Sequence, residues 1–131
     1  MNTKIYSLAI IFFLCCSIAK SQTLTFCDRV DGSGGAVNSY STLTVQKNGT
    51  PVTFLFTLPK NTPCRNVNFD VYRIVNEKEV YQSTIKQPAS SNNWVSKQMT
   101  FYQEGKYIVY VFDDEDKQLA KGTLMVKKSA Q

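Results

Sequence analysis

The chain contains no histidine. That absence excludes Ser-His-Asp and Cys-His catalysis, and it removes the imidazole ligands on which most catalytic zinc sites are built. The acidic residues fall mostly in turn-like stretches, so no carboxylate pair is held at the fixed separation that glycoside hydrolysis needs. The glycine-rich Gly32-Ser33-Gly34-Gly35 lacks the lysine and following helix of a phosphate-binding loop. A thiol nucleophile would have to be Cys27 or Cys64, and neither has an obvious base beside it. The sequence therefore reads as non-enzymatic, with no cofactor and no metal site.

Other scarcities narrow the partners. Beyond residue 21 no run approaches the 18 or so apolar residues that span a bilayer, so no stable membrane anchor is expected. Three arginines remain there, Arg29, Arg65 and Arg73, and the longest basic run is Lys127-Lys128. Nucleic-acid binding needs a basic stripe, so no nucleic-acid partner is expected. No window of about ten residues shows a helical apolar period.

What is present begins at the N-terminus. Met1–Lys4 is short and basic, Ile5–Ala19 is almost wholly apolar, and Ala19-Lys20-Ser21 places small residues at the −3 and −1 positions of a cleavage site. This pattern predicts a secretory signal peptide over residues 1–21 and a secreted or periplasmic protein. A lipid-anchor site at Cys15 or Cys16 fits poorly, because Leu14 and Cys15 stand where a small residue is expected. Cleavage leaves residues 22–131, a single domain of 110 residues with 13 basic and 10 acidic side chains, a net +3. Such a length buries a core without a metal. Two cysteines survive, Cys27 and Cys64, and an even pair in an oxidising compartment predicts a disulfide. By the chain-entropy argument, closing 36 intervening residues would stabilise by about 3–4 kcal/mol.

The mature segment alternates apolar and polar residues in short runs. Thr23–Phe26, Tyr40–Val45, Pro51–Leu58, Asn66–Val75, Glu79–Ile85, Trp94–Tyr102, Tyr107–Phe112 and Gln118–Val126 read as strands. Asp28–Ser39 reads as a glycine-rich loop, and Lys47-Asn48-Gly49-Thr50 as a hairpin turn, since Asn-Gly suits the positive φ of a type I′ turn. Asn76-Glu77-Lys78 reads as a second turn. Asp113-Asp114-Glu115-Asp116 could offer oxygen ligands to calcium, but it lacks the ligand spacing and central glycine of a calcium loop; it reads as a solvated turn. Strands at about ten-residue spacing predict an all-β, antiparallel sandwich of seven or eight strands.

Gly105-Lys106-Tyr107-Ile108-Val109-Tyr110-Val111-Phe112-Asp113, a polar turn, and Leu119–Val126 together resemble the last hairpin of immunoglobulin-like and fibronectin-III-like domains. Similar hairpins close exported bacterial domains. The resemblance implies an Ig-like β-sandwich in which Tyr107 enters the penultimate strand as a tyrosine corner. The cysteines depart from the antibody pattern, because neither lies in that strand.

Strand parity then singles out aromatic residues. Val67, Phe69, Val71, Val109 and Val111 should face inward, which turns Tyr72, Ile74, Ile108, Tyr110 and Phe112 outward. An apolar outer face is unusual for an antiparallel sheet, where the solvated face is polar. Three functions fit these features. The first is an exported module that binds a protein partner, or a second copy, at the cell envelope through this face. The second is a small carbohydrate-binding domain using Trp94, which adjoins Ser90-Ser91-Asn92-Asn93. The third is an inhibitor of an exported enzyme, presenting the loop Pro59–Cys64.

Overall fold

Apolar–polar alternation builds two facing sheets. A computed structural model describes residues 23–58, 65–89 and 93–129; the expected signal peptide, the loop Pro59–Cys64 and Ser90–Asn92 lie outside the described residues. The strands are β1 (Thr23–Val30), β2 (Ala36–Ser39), β3 (Thr42–Val45), β4 (Thr50–Thr57), β5 (Asn66–Val75), β6 (Lys78–Pro88), β7 (Trp94–Phe101), β8 (Gly105–Phe112) and β9 (Gln118–Lys128). One sheet has the order β2-β1-β4-β7, the other β3-β9-β8-β5-β6. All pairs are antiparallel except β3 with β9. This is an Ig-like β-sandwich, with nine strands among the described residues rather than the expected seven or eight.

The core fills the space between the sheets. Val52, Phe54 and Phe56 of β4 meet Val67, Phe69 and Val71 of β5, Val109 and Val111 of β8, and Leu124 and Val126 of β9. Phe54 stands at the centre, with ring centroids 5.4 Å from Phe26, 5.7 Å from Phe69 and 6.2 Å from Phe101. Edge-on and tilted ring pairs of this kind are the favoured geometries. Tyr107 is buried, and its hydroxyl donates to the Gln103 carbonyl at 2.9 Å. The bond runs from the start of β8 to backbone four residues upstream, which is the tyrosine corner that the resemblance implied.

Two local expectations are corrected and a third is borne out. Asp28–Ser39 is not all loop: β1 runs on to Val30, and β2 pairs with it through Arg29–Val37 and Cys27–Ser39. Asp31 makes this hairpin possible, because one carboxylate oxygen accepts from the Ser33 and Gly35 backbone N–H and the Ser33 hydroxyl. Those local bonds hold the three-glycine stretch to a tight turn, and they keep the Asp31 carboxyl below the usual carboxylate range. Second, Lys47–Thr50 joins no hairpin. β3 pairs with β9 and β4 with β1 and β7, so the turn carries the chain from one sheet to the other. Gly49, at φ 89°, follows the turn closed by its own N–H to the Gln46 carbonyl. The turn expected at Asn76-Glu77-Lys78 is present, and Asn76-Glu77 has positive φ at both positions, 52° and 66°. That conformation matches the twist of the β5–β6 hairpin it connects.

Candidate functional site

The outer face of the five-stranded sheet is built by register. Across β8 and β5, Phe112 faces Asn68, Tyr110 faces Asp70, and Ile108 faces Tyr72. Across β5 and β6, Asp70 faces Thr84, Tyr72 faces Tyr81, and Ile74 faces Glu79. A shift between Val71 and Tyr72 leaves Gln82 as the extra residue of β6, and this bulge is what brings Tyr81 onto the same face as Tyr72. The structure thus gathers Tyr72, Ile74, Ile108, Tyr110 and Phe112 on one face. No described strand lies over that face.

The rings form a continuous ladder. Tyr72 and Tyr110 meet edge to face at 5.5 Å, Tyr72 and Tyr81 do so at 5.7 Å, and Tyr110 and Phe112 are tilted at 6.2 Å. Ile108 is buried at the base of the ladder, while Tyr72, Ile74, Tyr110 and Phe112 are half-buried by one another. Tyr81 is 55% exposed and forms the outermost rung. Tyr81, Glu79 and Lys121 were missed by parity alone. The available signal was the turn: a two-residue loop at Asn76-Glu77 forces Val75 opposite Lys78, and hence Tyr72 opposite Tyr81.

Polar groups fix these rings. The Tyr110 hydroxyl donates to Glu79 Oε1. Lys121 Nζ lies 5.6 Å from the Tyr110 ring centroid, within cation–π range. The Thr84 hydroxyl donates to Asp70 Oδ1 at 2.8 Å, so its 2.7 Å contact with Tyr81 has the phenol as donor. The bond to Glu79 pushes the Tyr110 pKa up to about 12, with desolvation and the Glu79 charge adding to it. Tyr40 also titrates near 12, mainly because burial disfavours its anion.

This gives a pH prediction. A group whose folded pKa is raised supplies stability below its unfolded value and loses it as pH climbs through the folded value. Stability should therefore fall between pH 10 and about 12. In a spectrophotometric tyrosinate titration, Glu79→Gln should move one late-ionising tyrosine back toward pH 10 and leave Tyr40 late. A titration curve unchanged by Glu79→Gln would refute the Tyr110–Glu79 assignment.

The remaining predicted residues lie elsewhere. Trp94 pairs with Thr57 on the outer face of the other sheet, half-buried. A Cβ added at Gly34, which has φ 87°, would sit 2.2 Å from the indole, so the β1–β2 turn packs directly on that ring. Part of the surface expected to receive a sugar is thereby taken by the protein's own backbone. Cys27 is fully buried, with its Sγ 3.7 Å from the Thr53 carbonyl. Burial pushes its thiol pKa up. Cys64 lies outside the described residues. In the acidic cluster, Asp113 accepts from the Glu115 and Lys117 N–H groups and closes its own turn. Asp114 accepts from the N–H groups of Arg65 and Asn66, tying that turn to the start of β5 and lowering its carboxyl pKa.

An Ig-like sandwich with a tyrosine corner and an aromatic sheet face is the class that fold and face define. The chain is similar in structure to a Niemann-Pick type C2 protein from the Japanese carpenter ant, at TM-score 0.50 and 11% identity, covering 82% of this chain and 89% of that one. It also matches a superoxide reductase (neelaredoxin) from Ignicoccus hospitalis at TM-score 0.46 and 10% identity, covering 85% and 87%. Likeness at such identity concerns the fold alone. No family model matches the sequence. No curated protein matches it either.

Proposed function

We propose that this protein is an exported, non-enzymatic interaction module that binds a protein partner at the cell envelope through the aromatic face of its five-stranded sheet. The observation that supports this reading is the ladder Tyr81–Tyr72–Tyr110–Phe112 on a face over which no described strand lies. Solvated sheet faces are ordinarily polar. Tyrosine is enriched at interfaces because it offers a large rigid apolar surface with a polar tip. Here Glu79, Asp70 and Lys121 already hold the rings in place. A preset face loses less side-chain entropy on binding. The predicted signal peptide supplies the route of export. A Cys27–Cys64 bridge belongs to the same proposal, and thiol alkylation of the unreduced exported protein tests it.

The test is capture from the envelope fraction. The mature protein should retain a partner that the Tyr110→Ser/Phe112→Thr variant does not. Unfolding of that variant must stay cooperative. Tyr81→Ser, at the most exposed rung, should weaken capture with no change in melting temperature beyond that of an ordinary surface substitution. Capture that survives both changes excludes the face as the binding surface.

A further inference from the structure

A second site lies at the end of the sandwich where the β3–β4 turn, the β7–β8 connection and the end of β9 converge. Tyr102 stands there, 68% exposed. Its position is set from below: Gly49 has φ 89°, and a Cβ at that residue would lie 2.6 Å from the Tyr102 ring and 2.8 Å from the Thr100 methyl. Only glycine lets the ring sit so close to the turn. The ring borders two concavities. One, of about 640 Å³, is lined among the described residues by Val45, Gln46, Lys47, Tyr102, Lys128 and Ser129. The other, of about 310 Å³, has Gln82, Thr100 and Gln103 beside Tyr102, with Met99, Phe101 and Tyr107 behind. The Ser129 N–H donates to the Val45 carbonyl at 3.2 Å and closes the floor of the larger one.

The two sides differ in chemistry. Lys47 and Lys128 flank the larger concavity, and among the described residues neither is in an ion pair. The smaller side offers the side-chain amides of Gln82 and Gln103, which donate and accept at once, as sugar hydroxyls do, although Gln82 Nε2 also donates to the Val80 and Tyr81 carbonyls at 3.3 and 3.4 Å. Both share a ring held with most of its surface in solvent. Both volumes fall in or near the range of small-molecule sites.

We propose that this cleft binds an acidic oligosaccharide, with one sugar ring stacked on Tyr102, its carboxylate on the Lys47–Lys128 side, and neighbouring hydroxyls on Gln46, Gln82 and Gln103. An acidic peptide would use the lysines but would leave the amides and the ring without a role. Of the aromatic face, Tyr110 and Phe112 are remote from this site, at the far end of β8 from Gly105, whereas Tyr81 directly precedes Gln82 on β6.

Tetragalacturonate titrated into the mature protein by calorimetry tests this, with a neutral tetrasaccharide and hexaglutamate as comparisons. Tetragalacturonate should bind with an affinity that falls as salt rises, and the neutral sugar at least tenfold more weakly. Tyr102→Ala should lose tenfold or more, Tyr102→Phe little, and Lys47→Gln/Lys128→Gln should remove the salt dependence together with most of the affinity. Tyr110→Ser/Phe112→Thr should bind as the parent does, which separates this site from the proposed protein-binding face. Tyr102 is so exposed that its replacement leaves the fold intact, and a thermal melt of the variant checks this. No binding of tetragalacturonate, equal binding of hexaglutamate, or binding indifferent to Tyr102→Ala would overturn the assignment.

Discussion

Phe54→Ala should destabilise the protein by about 3–5 kcal/mol, the range for truncating a fully buried phenylalanine. Phe54 is 0% exposed and lies within ring-contact distance of Phe26, Phe69 and Phe101. Its neighbours come from both sheets: Phe26 and Phe101 from the four-stranded one, Phe69 from the other. Collapse into the cavity would require the sheets to approach, which their flanking side chains oppose. Total stability of a domain this size is about 5–15 kcal/mol, so the variant should be near the limit of folding. Urea unfolding measures it: the midpoint should drop sharply with the slope unchanged. A loss below about 1 kcal/mol would mean that the core is not organised around this ring.

Gly122→Val should cost about 1–3 kcal/mol by overpacking. Gly122 sits on β9 opposite Val109, on the inward side. A Cβ there would lie 2.9 Å from Leu24 Cδ2 and 3.1 Å from two atoms of the Phe26 ring. Leu24 is half-buried and its terminal methyl can turn away, and the Phe26 ring need give only a few tenths of an ångström, so Gly122→Ala should cost clearly less than valine. Valine adds two methyls that must displace the Phe26 ring, which is itself edge-on to Phe54. The glycine is therefore where β9 of one sheet comes close to β1 of the other. Calorimetric melting of the two variants separates these outcomes, and equal melting temperatures for alanine and valine would refute the close approach.

The two experiments address the same feature from opposite sides. One opens the space between the sheets and the other crowds it. The aromatic face lies outside that space, so neither substitution should change its ring ladder. Partner capture by a folded Gly122→Ala variant serves as the internal control for the face substitutions.

Strand parity made much of this legible from the chain. Val67, Phe69 and Val71 alternate with polar residues, and Val109 and Val111 alternate with Ile108, Tyr110 and Phe112. Side chains on a strand alternate between faces, so a buried set of one parity determines the outward set. For that reason the face Tyr72–Ile108–Tyr110–Phe112 could be read before any pairing was known. The tyrosine corner was legible for a similar reason, since it depends on one residue and backbone four positions away.

What depended on distant pairing was not legible. Asn48-Gly49 has hairpin composition, yet the strands on either side of it belong to different sheets. Turn residues specify how a chain bends; they do not specify which strand each arm will meet. Asp31 turns a glycine-rich stretch into a hairpin through side-chain bonds that composition does not reveal. The cleft bordered by Tyr102 is assembled from residues between Val45 and Ser129, and their nearness exists only once β3 has paired with β9. The sequence by itself determined most of the strands, though not β2, together with the buried parity and the aromatic character of one face, because these follow from local alternation. Tertiary structure alone decided the sheet partners, the rung contributed by Tyr81 and the cleft at the end of the sandwich, because each requires register between segments far apart in the chain.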